Sequence, residues 1–138
     1  ERVVDLLIRR GAAVNLQDNR SNTALMLAAS HGHEGVVELL MQYGAEINLQ
    51  DSDGWTALML AARSGQKRVV DLLIRRGAEI NLHSSDGLTV LMAAAQEGRE
   101  RVVDLLLQHG AEVNLQRSNG WTALMIAAFF NRPAVVRQ

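Results

Sequence analysis

A thirty-three-residue period runs through this chain and limits its fold more than any other feature. Residues 18–50, 51–83 and 84–116 align end to end without a gap, and the first two agree at nineteen of thirty-three positions. Partial copies flank them at 1–17 and 117–138. A period of this size means a stack of small units, each touching only its neighbours. Such a stack offers broad surfaces and little enclosed volume, so the pattern points to binding before any single residue is considered. The whole of 1–138 is expected to form one domain.

The unit at 51–83 shows how a copy is built. Residues 56–64 read as a short helix, with Thr56 able to accept a backbone N–H at its start and Gly65 able to end it in the left-handed conformation. Residues 67–76 read as a second helix, with Val69, Val70, Leu72, Leu73 and Ile74 as an apolar stripe. Asp71 and Arg75 stand four apart with the acid first, the favourable order for a helix-surface pair, and Asp5 and Arg9 repeat it. Arg9-Arg10 and Arg75-Arg76 fall in last turns, where cations complement the helix dipole. Between helix pairs, Ile47, Leu49, Ile80 and Leu82 alternate as an extended segment would. Gly54, Gly87 and Gly120 supply the positive φ of the following turn. One rule places ten of the eleven glycines. Gly35 is left inside a helix. Ser21 replaces the turn glycine in its unit, where Asn22 or Asn19 is expected to take the strained conformation. Pro133 falls at the first turn of a second helix.

The net charge is −1 and arginines alternate with Asp and Glu, so no one-sign face draws the chain to nucleic acid or an anionic membrane. Cysteine is absent, which excludes disulfide and thiolate chemistry and suits a reducing compartment. A cytoplasmic or nuclear location is expected, with neither a signal peptide nor a membrane span. The sequon Asn19-Arg20-Ser21 is not expected to be used. No Ser/His/Asp grouping, phosphate-cradling loop or metal-ligand set stands out, so no catalysis, cofactor or metal is expected. His31 and His33 lie two apart and do not share a helix face. His83 replaces the Gln of Gln17, Gln50 and Gln116, and His109 sits in a final helical turn.

Thr-x-Leu-x-x-Ala-Ala recurs at 23–29, 56–62, 89–95 and 122–128. Gly32, Gly65 and Gly98 follow it, then Val-Val-x-Leu-Leu at 36–40, 69–73 and 102–106. This run, closed by Gly-Ala-Glu-x-Asn, resembles the ankyrin repeat. The resemblance implies an all-α solenoid of stacked helix-turn-helix units with β-hairpin-like turn tips. One departure is Thr-Ala-Leu-Met where the family usually has Thr-Pro-Leu-His. Met26, Met59, Met92 and Met125 are expected to fill gaps between stacked helices. Asn131 replaces a helix-ending glycine, a change Asn tolerates. Family members can also be hydroxylated at the Asn after the Gly-Ala segment, which here would be Asn15, Asn48, Asn81 or Asn114.

The resemblance further implies a concave surface lined by turn tips and first helices, with a protein or peptide partner along it. Trp55, Leu88 and Trp121 share one tip position and would form an apolar row of anchors, extended by Phe129. Arg63, Gln96, Glu97, His31 and Asp53 would select polar groups. Each indole can equally fold onto the adjacent turn and stiffen it, and Phe129 and Phe130 can equally contact a further unit. The alternative function is a spacer or scaffold segment of a longer, or designed consensus-like, array with no ligand of its own. Val3, Val4, Leu6 and Leu7 open the chain, and Ile126, Phe130, Val135 and Val136 close it. These apolar ends suggest either an ordered stretch of a longer array or end-to-end pairing between molecules.

Overall fold

The computed structural model describes residues 1–136. Among the described residues there are nine helices: α1 (Arg2–Arg9), α2 (Ala24–Ser30), α3 (Glu34–Gln42), α4 (Ala57–Arg63), α5 (Lys67–Arg75), α6 (Val90–Gln96), α7 (Glu100–Gln108), α8 (Ala123–Phe129) and α9 (Pro133–Val136). They form two rows. The inner helices α2, α4, α6 and α8 pack each on the next. The outer helices α3, α5, α7 and α9 each pack against the inner helix that precedes them. By the period, α1 heads the outer row.

Local chemistry sets the inner helices. Thr23, Thr56, Thr89 and Thr122 cap them, each Oγ1 accepting the backbone N–H of the methionine three residues on at 3.2–3.3 Å. Gly32, Gly65 and Gly98 end three of them at positive φ, and Asn131 does the same after α8 at φ 57°. Ala29, Ala61, Ala62 and Ala94 are fully buried, so small side chains let neighbouring inner helices approach closely. Met26, Met59 and Met92 fill the remaining gaps and are buried, while Met125 is exposed on α8. Outer helices contribute Val37, Val70, Leu73, Val102 and Leu106 to the same continuous core.

Polar ladders fix the spacing between units. The Oδ1 atoms of Asn15, Asn48 and Asn81 accept the backbone N–H of Glu46, Glu79 and Glu112 at 2.8–3.1 Å. Gln17 and Gln50 each donate Nε2 to their own turn and to the carbonyl one period on, Gln50 and His83 respectively. The tips join by single backbone bonds, Ser52 N–H to Arg20 O, Ser85 N–H to Asp53 O and Ser118 N–H to Asp86 O. Each tip is closed hairpin-fashion, as by Asp51 N–H to Trp55 O at 2.8 Å. Among the described residues no strand forms, and one isolated bridge joins His83 to Thr89.

Two local expectations are corrected. Ile47-Asn48 and Ile80-Asn81 form turns rather than extended segments. Ile47, Leu49, Ile80 and Leu82 still pack on the core, because the turn brings both apolar positions inward. At the first full tip, Ser21 itself adopts the left-handed conformation at φ 63°. Asn22 is held instead by the Asp18 carboxylate, which takes its backbone N–H at 2.8 Å and its side-chain amide at 3.3 Å.

Candidate partner-binding face

The tips are built by side-chain acceptors that bind the backbone beyond them. Asp18 Oδ1 accepts the N–H groups of Arg20 and Asn22, and Asp51 Oδ1 those of Asp53 and Trp55, at 2.8–2.9 Å. The Ser84 hydroxyl oxygen accepts the Leu88 N–H at 3.1 Å. Arg117 has no acceptor to offer, and Asn119 Oδ1 binds the Trp121 N–H instead at 3.0 Å. The N–H donors at Asn22 and Arg20 hold the Asp18 carboxyl below its ordinary value. The Ser84 hydroxyl and then the Arg117 guanidinium do the same for Asp86. Arg117 also ties the third tip to the fourth through an ion pair with Asp86.

These turns place the residues just before each inner helix. Trp55 is half-buried, with one side packed on the core. The exposed Arg63, in the last turn of α4, lays its guanidinium over the indole at 4.7 Å from the ring centroid. This is cation–π geometry. A groove of about 280 Å³ runs between two tips and the inner helices α2 and α4, with Arg20, His31, Asp53, Trp55 and Arg63 among its walls. At the far end, Trp121 meets Phe129 edge-on at 5.1 Å, and Phe129 meets Phe130 at the same distance. Phe129 is 69% exposed.

Leu88 does not join this surface. It is 5% exposed and lies in the core, so the row of apolar anchors is broken between the two tryptophans. A leucine is short enough to tuck under the tip, where an indole stays half out. Of the polar candidates, His31, Asp53, Arg63 and Glu97 are exposed and Gln96 is half-buried. The Gln96 carbonyl accepts Arg132 Nε at 3.0 Å. Sequence reasoning passed over Arg20 and the exposed Leu27 as wall residues. Arg20 sits at a tip position occupied by Asp or Asn in the other copies, which was the available signal.

A family model for ankyrin repeats, three copies, matches residues 1–84 and 69–138, which together span the chain. The chain belongs to the ankyrin-repeat family. Ankyrin repeats are generally protein–protein interaction modules, and the family is typically non-enzymatic. No curated protein matches the chain.

The repeat geometry gives the recurring asparagines a structural role. Three of the four asparagines considered for hydroxylation, Asn15, Asn48 and Asn81, have their Oδ1 engaged between repeats. Asn114 is exposed and its amide makes no hydrogen bond among the described residues. His31 and His33 do come together, with rings stacked at 5.9 Å. The turn between α2 and α3 brings them there, since neither lies within a helix. Among the described residues no group of three or more His, Cys, Asp or Glu is placed to hold a metal ion. Among the same residues no helix is long and apolar enough to cross a membrane.

Proposed function

We propose that residues 1–138 act as one non-catalytic binding domain, holding a protein or peptide partner along the face where turn tips meet inner helices. The observation that carries this reading is the groove beside Trp55. There a half-buried indole under a guanidinium stands next to Arg20, His31 and Asp53 on one open wall. Indole and guanidinium groups are the side chains most enriched among interface hot spots. Trp55 is one anchor, and Trp121 with the exposed Phe129 is a second at the other end of the face. Arg63, His31, Asp53, Gln96 and Glu97 supply polar selection, while Leu88 supports the tip from beneath. The cysteine-free composition suits a cytoplasmic or nuclear setting.

Affinity capture from cell lysate tests the reading. The chain is compared with its Trp55→Ala/Trp121→Ala variant, both checked for unchanged helical circular dichroism. Losing two hot-spot anchors at about 2 kcal/mol each weakens a partner by more than a hundredfold, so the bound protein disappears from the variant. The same proteins on both baits would refute this face. One observation favours a second reading, a spacer in an ankyrin array. Both tryptophans also pack against the core, so stiffening of the tips is a sufficient structural role. Empty captures from both baits favour the spacer.

A further inference from the structure

Two arginines break the repeat on the walls of one groove. Arg20 stands where the later copies have Asp53, Asp86 and Asn119, and Arg63 where the others have Ser30, Gln96 and Phe129. The fold brings both to the groove of about 280 Å³ beside Trp55, between the tips of two complete copies, 18–50 and 51–83. Small-molecule pockets usually run from about 300 to 1,000 Å³, so this groove suits one or two side chains of a partner. Elsewhere Arg68, Arg75, Arg76 and Arg117 already have a carboxylate of the chain itself. Among the described residues neither Arg20 nor Arg63 forms an ion pair.

Two carboxylates share the groove. Asp51 turns Oδ1 to its own tip, where it accepts the N–H groups of Asp53 and Trp55 at 2.9 Å. The exposed Asp53 carboxylate has no hydrogen bond or ion pair among the described residues. His31 Nδ1 lies 3.0 Å from the Leu27 carbonyl, an acceptor, so the imidazole is held against α2. Arg63 is fixed from both ends. Its guanidinium lies over Trp55 at 4.7 Å, and its carbonyl accepts Arg99 Nε at 3.0 Å. An arginine stacked on an aromatic face is ordered before a ligand arrives, and its planar fork binds a carboxylate through two parallel N–H groups. Ordering beforehand removes part of the entropy cost of binding.

We propose, resting on the binding face put forward above, that this groove selects a protein or peptide segment by one Asp or Glu side chain, which enters between Arg20 and Arg63. Arg63 grips the carboxylate, Arg20 closes on it from the preceding tip, and Trp55 covers its methylene stem. The free Asp53 carboxylate repels a second acid nearby and favours a Lys or Arg beside the first. The ligand is therefore an isolated carboxylate flanked by a cation, and not an acidic run.

Selection from a displayed library of short random peptides tests the proposal, followed by fluorescence anisotropy of the full chain with the synthetic peptides that emerge. The selected peptides are expected to carry Asp or Glu at one fixed position, with Lys or Arg beside it, and to lose binding to the Trp55→Ala/Trp121→Ala variant. Changing that acid to Asn or Gln is expected to weaken binding about ten- to a hundredfold, and Arg63→Ala by a similar factor. Arg63→Glu is expected to prefer the same peptide with Lys in place of the acid, an exchange that loss of structure would not produce. The Arg63 side chain is exposed, so both variants keep their fold, which circular dichroism checks. Peptides lost on the tryptophan variant but indifferent to the acid overturn the proposal and leave the binding face standing. Peptides held equally by the tryptophan variant overturn the face and the proposal together.

Discussion

Asn48 and Asn114 stand at the same position two periods apart, and among the described residues Asn48 bonds to the repeat that follows. Asn48→Ala removes the bond to the exposed Glu79 N–H and is expected to cost about 0.5–1.5 kcal/mol. Asn114→Ala touches no such bond and is expected to stay within about 0.5 kcal/mol. Urea denaturation separates the two. Asp86 gives a pH prediction. Its carboxyl is held below the ordinary range by the Ser84 hydroxyl and Arg117. A depressed folded-state pKa contributes stability that is complete above the unfolded value of about 3.9 and is lost as pH falls through the folded value. Asp86→Asn is therefore expected to flatten the loss of stability below about pH 4, seen as a shallower fall of the urea midpoint. Residue identities carried much of this. The Thr caps and the fifth-position tryptophans could be read from spacing alone. Ser21 and Leu88 could not, because competition within one turn, and the depth to which a side chain tucks, are decided by neighbours one period away.

At the scale of elements, the helices follow their local signals closely. The pairs Asp5–Arg9 and Asp71–Arg75 close at 3.1 and 3.0 Å on helix surfaces, as their spacing predicts. The segments around Ile47 and Ile80 do not, because a short alternation of apolar residues fits a turn that aims both at the core as well as it fits a strand. A third ladder also escaped the sequence reading. Gln66 and Arg99, each following a helix-ending glycine, and Arg132, following Asn131, reach back to the carbonyls of Ser30, Arg63 and Gln96. The signal was a long polar residue at the same position in three of the four copies, with His33 in the first. Glycines separate by the same logic. At Gly54 an added Cβ meets the Ser85 backbone nitrogen at 2.7 Å, and φ is +83°. At Gly35, inside α3, its three nearest neighbours are atoms of the flexible Glu1 carboxylate. Gly35→Ala is expected to stabilise by up to about 1 kcal/mol through helix propensity. Gly54→Ala is expected to destabilise by about 1–3 kcal/mol through strain. Thermal unfolding of both variants checks the opposite signs.

On the scale of the whole molecule, the period determined nearly everything about the architecture, since each unit can bury its apolar faces only against the next. The candidate site was less legible. Tips and inner helices were the right region, but the groove beside Trp55 depends on how Arg63 crosses the indole and on Arg20 from the preceding tip. Those are contacts between units, and spacing within one unit does not specify them. The central claim is that recognition uses the tip-and-inner-helix face. Hydrogen exchange by mass spectrometry, on the chain alone and with its captured partner, tests it most directly. The account predicts slowed exchange at the tips and inner helices around Trp55, Arg63, Trp121 and Phe129, with α3, α5 and α7 unchanged. Protection confined to those outer helices would contradict it.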